Sequence, residues 1–344
     1  MRLRSAVRSI WYVNAIALGA VVAQYGGSTQ AELTQTTAAA VRSVLEAPRA
    51  HAAAALDLQA PPEATEPAPR PKRPDSTSYG GGRIIEGTTP QRLILFTFDD
   101  GPERRTTPLL LDRLDAAGIK AVFFLTASRI AGRNAAEREQ AQLAQEIVQR
   151  GHLVGSHTVD HLQLPLLDDT GATAQVLGAE QIFQRVLGFR PSLIRPPGGA
   201  RSPRIDTLLA DRNYTTVLWN LGAGDFQVKS ANEVLDTFRK VLERRERENG
   251  DHGGIVLLHD TYAWSVDAFQ LIWAELWGRN CKLLERGEEL YDIVSDLQYF
   301  QQARDGAPVG TLALPARLPA AVFEARQAKL RRETAQRCSA TDGF

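Results

Sequence analysis

The chain has 344 residues, enough for one large domain or two small ones with a sizeable core. Its 40 basic and 40 acidic residues balance, which argues against a nucleic-acid or anionic-surface partner recognised through bulk charge. Two cysteines, Cys281 and Cys338, exclude a disulfide-rich scaffold and a cysteine-built zinc site.

Arg2, Arg4 and Arg8 precede an apolar run from Ile10 to Ala23 that only Asn14 interrupts. A basic flank before such a run predicts an export signal over 1–25, with Ala23 or Ala31 ending a cleavage site. The run is short for a membrane span of about 20 apolar residues, so cleavage and retention as a membrane anchor both stay open. Either way the chain is expected to be exported: periplasmic, membrane-anchored or extracellular. There Cys281 and Cys338 are free to pair. From 26 to 88, Ala-rich sequence gives way to Pro61-Pro62, Pro67, Pro69, Pro71 and Pro74, then Gly80-Gly81-Gly82. That is the composition of a largely disordered linker.

A folded domain is predicted over 89–300. Leu93 to Phe98 is an apolar, β-branched and aromatic run, read as a buried strand that Gly101-Pro102 ends. Asp99 and Asp100 stand where it runs out. Neighbouring side chains of a strand point to opposite faces, so the two share a site only at a strand end or turn. Thr107-Pro108 opens a helix with Leu110, Leu111 and Leu114 on one face and Gly118 at its end. Strand Lys120 to Thr126, helix Glu137 to Arg150, short strand His152 to Ser156 and helix Ala172 to Leu187 follow. Strand-like Leu193-Ile194 and Thr215 to Trp219 flank a helix near Ile205 to Ala210. Helix Ala231 to Glu248, strand Ile255 to Leu258 and a large helix, Val266 to Trp277, complete the domain. In the tail, 301–344, the basic stretch Arg326 to Arg337 reads as a solvated helical face, which packs on the domain if Cys338 reaches Cys281.

Strands alternating with helices make an α/β domain with a mainly parallel sheet; pattern alone does not close it into a barrel. Function in such a sheet collects at the C-terminal strand ends. Asp99-Asp100, His157, Arg195, Asp225 and His259 each follow an apolar segment there.

His157 and His161 are four apart, which on a helix or helical turn puts both imidazoles on one face, as a divalent metal requires. The pair alone is weak evidence. Two imidazoles and one carboxylate of the Asp99-Asp100 pair fill three positions and leave one for water. Imidazole suits zinc or another borderline metal better than magnesium or calcium. Arg195-Pro196-Pro197-Gly198-Gly199 is either a rigid turn with a surface Arg, or an Arg that keeps a carboxylate ionised beside main-chain N–H groups offered to an oxyanion. His259, at the end of an apolar strand, is either a strand cap or a general acid.

Together these segments resemble the polysaccharide deacetylases (the NodB-homology domain, carbohydrate esterase family 4). The matching pieces are Thr97-Phe98-Asp99-Asp100-Gly101, His157-Thr158-Val159-Asp160-His161, Arg195-Pro196-Pro197-Gly198-Gly199, Trp219 with Asp225-Phe226, and Leu257-Leu258-His259-Asp260, in the family's order. The resemblance implies a distorted (β/α) barrel of the NodB-homology type and metal-dependent removal of N-acetyl groups from an aminosugar polymer, giving free amine and acetate. It further implies that Asp100, His157 and His161 bind one divalent metal ion, zinc by ligand type, with cobalt or another divalent metal open. Asp99 is implied as general base, Arg195 as its orienting partner, His259 as general acid and Asp225 as the residue that tunes it. Pro197, Gly198, Trp219 and Leu257 are implied as substrate-binding.

Two departures bear on substrate preference. Gly198 stands where the family often has an aromatic, and Phe226 stands where it has Trp. The alternatives are an O-acetyl esterase on acetylated glycan and a non-catalytic carbohydrate-binding relative. The expected partner is an N-acetylated polysaccharide of the cell envelope or a chitin-like glycan, met by a monomer, with no nucleic acid.

Overall fold

The computed structural model describes residues 76–300 and 317–341; the expected export segment lies outside the described residues, as does the expected linker up to residue 75. In chain order the elements are β1 (Ile84–Ile85), β2 (Leu93–Asp99), α1 (Thr107–Ala116), β3 (Val122–Leu125), α2 (Ala135–Gln149), β4 (Leu153–Ser156), α3 (Asp169–Leu187), β5 (Leu193–Ile194), α4 (Pro203–Asp211), β6 (Thr215–Val217), β7 (Leu221–Gly222), α5 (Ala231–Asn249), β8 (Gly254–His259), α6 (Ala263–Glu285), β9 (Asp292–Ile293) and α7 (Ala320–Thr341).

Local chemistry sets the helix ends. Asn134 caps α2 by accepting the Glu137 N–H at 3.0 Å, and the Glu137 carboxylate reaches back to the Arg133 N–H at 2.8 Å. This is a capping box shifted by one residue, the return bond reaching the N–H before the cap instead of the cap's own. Asp168 caps α3 through the Gly171 N–H, and Ser202 caps α4 just before Pro203. Gly188, with φ of 81°, ends α3 in the left-handed region that glycine enters without steric cost.

All strand pairings are parallel, in the order β1-β6-β5-β4-β3-β2-β8-β7, with β9 also pairing β2. This order forces the sheet to curl. β6 lies next to one edge strand and β7 is the other edge, yet only Leu218, Trp219 and Asn220 join them. A fully extended chain covers about 3.3–3.6 Å per residue, far less than the width of a flat sheet at about 4.8 Å per strand. The two sides must therefore come round towards each other. Asn220 bridges the gap, donating to the Gly253 carbonyl at 3.0 Å and accepting the Ile255 N–H at 2.9 Å.

Two cores follow from the alternation along the strands. Leu93 and Leu95 point inside the curl and pack with Val122, Phe124, Leu153, Leu193, Val217 and Ile255 from five further strands. Ile94, Phe96 and Phe98 point outward, beneath a jacket that includes Leu110, Leu111, Ile147, Phe183, Phe238 and Phe269 from the helices. The fold is a parallel, curled (β/α) half-barrel, as the sequence resemblance implied.

One expectation needs correction. The linker expected through Thr88 ends earlier: Ile84 and Ile85 are buried and pair with Thr216 and Val217, because β6 would otherwise present an unpaired edge. The tail stretch Arg326 to Arg337 packs on the domain, as expected if Cys338 reaches Cys281. Arg326 pairs with Asp292 through two hydrogen bonds of 2.5 and 2.8 Å, and Arg337 lies 4.6 Å over both Trp273 and Trp277. Cys338 is disulfide-bonded to Cys281, fastening α7 to α6. Among the described residues no helix is long and apolar enough to cross a membrane.

Candidate active site

β2, β4, β5 and β8 end on the same side of the sheet, and each delivers part of one cluster. Asp99 is the last residue of β2, and Asp100 follows with φ of 73°. That reversal turns two side chains that a strand would separate into one site. The two His arrive differently from expectation. Residues 157–161 form an irregular loop after β4, not a helix, with Thr158 at φ 66° and His161 at φ 58°. Left-handed turns, not helical periodicity, bring the imidazoles side by side, with ring centroids 4.9 Å apart.

The ligand atoms of Asp100, His157 and His161 all lie within 4.8 Å of one another. The Asp100 Oδ1 atom is buried and accepts no hydrogen bond, while the Nε2 atoms of His157 and His161 face it at 3.4 and 3.2 Å. Three candidate ligand atoms converging, one of them a buried oxygen without a hydrogen bond, are what a cation satisfies. Two ligands at about 2.0–2.1 Å from a tetrahedral ion stand about 3.3 Å apart, which these separations match. His157 Nδ1 lies 2.6 Å from the Arg195 carbonyl, so Nδ1 carries the proton and Nε2 keeps its lone pair. Burial pulls the His157 imidazole down to about 3, against the pull of Asp100, and keeps the ring neutral. The residues therefore fit a divalent cation.

Asp99 lies beside this cluster and is 2% exposed. Its Oδ1 accepts from Arg195 Nη1 at 2.7 Å, and its Oδ2 lies 3.8 Å from His157 Nε2. Burial raises the Asp99 carboxyl above the usual carboxylate range, and the Arg195 charge opposes that rise. Arg195 is fully buried, yet its donors are used: Nε to the Val217 carbonyl, Nη1 also to Thr97 Oγ1, and Nη2 to the Leu218 carbonyl. Its guanidinium lies 4.2 Å over Phe124 and 5.3 Å over Trp219. A planar fork tied at this many points fixes the carboxylate's direction, which Lys would not do.

On the other side, His259 ends β8 with Nε2 4.0 Å from Asp100 Oδ2. Its Nδ1 is 2.9 Å from Asp225 Oδ1, and Asp225 is fully buried. Burial alone would lower the His259 imidazole. The hydrogen bond and charge of Asp225, with Asp99 and Asp100, outweigh it and push the group up to about 9. A carboxylate and an imidazolium thus border the same cation cradle.

The expected substrate-binding residues fall nearby with different prominence. Leu257 is nearly buried on β8, two residues before His259. Pro197 to Gly199 form a short 3-10 turn after Arg195. A Cβ on Gly198 would meet only Gln163 Nε2, at 3.4 Å, but its φ of 64° is one that side chains rarely adopt. Trp219 packs against Gly199 and over Arg195.

Sequence reasoning missed Thr97, Ser265, Asp260 and Trp264. Thr97 Oγ1 accepts from Arg195 and donates to the Val256 carbonyl, bracing Asp99 from two residues back on the same strand face. A hydroxyl on the face of Asp99 within an apolar run was the available signal. Ser265 donates to Asp225 Oδ2 at 2.6 Å, and the Trp264 indole to the Asp225 carbonyl at 2.7 Å; nothing in the sequence marks either partner. Asp260, pushed up to about 7 by burial, accepts from Thr107, and its carbonyl accepts from Thr106, joining the end of β8 to the start of α1.

Residues 86–217 match the polysaccharide deacetylase family. The chain is 30% identical over 187 residues to a peptidoglycan-N-acetylglucosamine deacetylase of Bacillus cereus, covering 53% of this chain and 62% of that one. The crystal structure of the Bc1960 peptidoglycan N-acetylglucosamine deacetylase superposes with a TM-score of 0.51 at 25% identity, covering 64% of this chain and 94% of that one. The chitin deacetylase of the fungus Colletotrichum lindemuthianum shares the fold, with a TM-score of 0.54 at 24% identity over 65% and 94% of the two chains. The chain spans less than two thirds of the length of its Bacillus cereus relative. Residues 86–217 thus form a polysaccharide deacetylase domain by their match to the family model, and the surrounding fold is similar to that of the solved deacetylases.

Proposed function

We propose that this chain is a metal-dependent N-deacetylase that removes acetyl groups from an aminosugar polymer of the cell envelope or a chitin-like glycan. One observation carries the reading: a buried carboxylate and a raised imidazole, Asp99 and His259, border the Asp100–His157–His161 cradle. An amide resists hydrolysis because its carbonyl is a weak electrophile and its nitrogen a poor leaving group. The arrangement addresses both halves. A divalent cation held by Asp100, His157 and His161, zinc by the ligand set, supplies Lewis-acid polarisation and a more acidic water.

Asp99, oriented by Arg195, accepts a proton from the attacking water. Its burial makes it a stronger base than a solvated carboxylate, while Arg195 favours its ionised form. His259 donates its Nε2 proton to the departing nitrogen as the carbon–nitrogen bond breaks. Asp225 holds the other ring nitrogen and stabilises the imidazolium. Water's oxygen ends in acetate, and the amine leaves with the proton from His259. No covalent enzyme intermediate is required. Leu257, Trp219, Pro197 and Gly198 wall the acetyl and sugar groups. The activities of the relatives named above agree with this chemistry.

The test is acetate release from N-acetylated peptidoglycan, chitin oligomers, poly-N-acetylglucosamine and O-acetylated xylan, after metal removal and with zinc, cobalt or nothing added. Metal-dependent acetate from an N-acetylated glycan supports the proposal. Release only from acetylated xylan makes the chain an esterase, and release from none of them overturns deacetylation.

A further inference from the structure

Three aromatic side chains gather where His259 emerges. The Phe226 ring, 57% exposed, meets the imidazole edge-on at 5.9 Å, and the Tyr262 ring lies 5.7 Å away on a tilted approach. Tyr262 is stacked on Trp264, with centroids 4.9 Å apart and planes 9° from parallel. The stack is held in place: the Trp264 indole donates to the Asp225 carbonyl at 2.7 Å. Both stacked rings remain partly open to solvent.

Tyr262 occupies the N-cap of α6, and its side chain makes no capping hydrogen bond. A Ser, Thr, Asp or Asn there would cap a free helix N–H and stabilise α6. Helix stability alone does not select an aromatic at that position, and departures of this kind concentrate at functional sites.

The proposed chemistry says what faces these rings. A general acid works within about 2.6–3.2 Å of the atom it protonates. The leaving nitrogen is bonded directly to the sugar ring, so that ring sits against His259, in the space that Phe226 and Tyr262 border. A pyranose presents an apolar face of C–H groups, and aromatic rings with one polar handle suit such half-apolar, half-wet surfaces.

Resting on the deacetylase reading, we propose that the Tyr262–Trp264 stack is a glycan-chain subsite. It receives the sugar unit next to the one being deacetylated, with Phe226 also bordering His259. Polymer chains gain this contact, and small acetylated compounds do not.

The test compares kcat and KM for N-acetylglucosamine pentamer with those for a sugar-free aryl acetate, in the metal-loaded full chain. Variants are Tyr262→Ala, Trp264→Ala, Tyr262→Phe and Trp264→Phe. Each alanine variant should lower the pentamer-to-aryl-acetate ratio of kcat/KM by about 10-fold, the order expected of one lost aromatic contact, chiefly through a higher pentamer KM. The phenylalanine variants should keep most of the ratio. An equal loss on both substrates would show a merely structural role and overturn the subsite, as would an unchanged pentamer KM. Wild-type protein that hydrolyses the aryl acetate but no glycan overturns the deacetylase reading, and the subsite with it.

Discussion

The Asp225 carboxylate holds His259 twice: Oδ1 lies 2.9 Å from the imidazole Nδ1, and Oδ2 accepts the His259 main-chain N–H at 2.7 Å. The same Oδ2 takes the Ser265 hydroxyl at 2.6 Å. One buried carboxylate thus fixes the ring's rotation, its proton on Nδ1 and the end of β8 together. The His259 Nε2 atom is left facing the cation cradle.

Asp225→Asn should expose the electrostatic part of this contact. In metal-free protein the His259 imidazole should titrate near 9, as burial is outweighed by Asp225 and its neighbours, and the variant should titrate lower. A folded-state value raised above the free value of about 6.5 contributes stability that is fully present below about 6.5 and lost as pH rises through about 9. Asp225→Asn should therefore destabilise the fold more at about pH 6 than at about pH 10. Imidazole NMR titrations and urea unfolding at both values check this; an equal cost at both contradicts it.

Arg195→Met should be among the most damaging single changes. It leaves Asp99 buried without its charge partner, a situation that typically costs about 3–5 kcal/mol. With Arg195 gone, only the His259 charge still opposes the burial of Asp99, so the acid limb of the rate profile should move to higher pH. The double variant Asp99→Asn/Arg195→Met should lose clearly less stability than the two single losses added, because no isolated charge remains. Urea unfolding of the four proteins measures the coupling, and strict additivity would contradict it.

Replacing both cysteines by serine should loosen α7. The bridge spans 57 residues, and closing a loop of that size restricts the unfolded chain by an amount worth up to about 4 kcal/mol. The melting temperature should fall and protease cleavage around α7 should become faster. Metal content should stay at the wild-type level, since neither cysteine nor α7 belongs to the cradle. Loss of metal in the serine variant would show that α7 shapes the site.

What the sequence revealed was uneven, for physical reasons. β2 and β8 were legible because both faces are buried and the apolar run is continuous. Asp99, Asp100 and His259 were legible because they break those runs at their ends. β1, β7 and β9 are two residues each, too short for any period, and exist because neighbouring strands need partners. The spacing of His157 and His161 pointed to a helix; a loop with left-handed residues at Thr158 and His161 makes the same juxtaposition. Thr97, Ser265 and Trp264 were missed because hydroxyls and indoles are common, and their partners Arg195 and Asp225 lie 98, 40 and 39 residues away.

The adjacent carboxylates of β2 give the most direct test, because the account assigns them unlike tasks. Metal content, melting temperature and turnover should be measured for Asp99→Asn and Asp100→Asn. Asp100→Asn removes the charge of a ligand, so metal content should fall and excess zinc should restore part of the rate. Asp99→Asn should keep its metal but lose about 10²–10⁴-fold in turnover, with no rescue by added metal. If Asp99→Asn loses the metal while Asp100→Asn keeps it, the roles are reversed. If both variants turn over at the wild-type rate, the site is elsewhere.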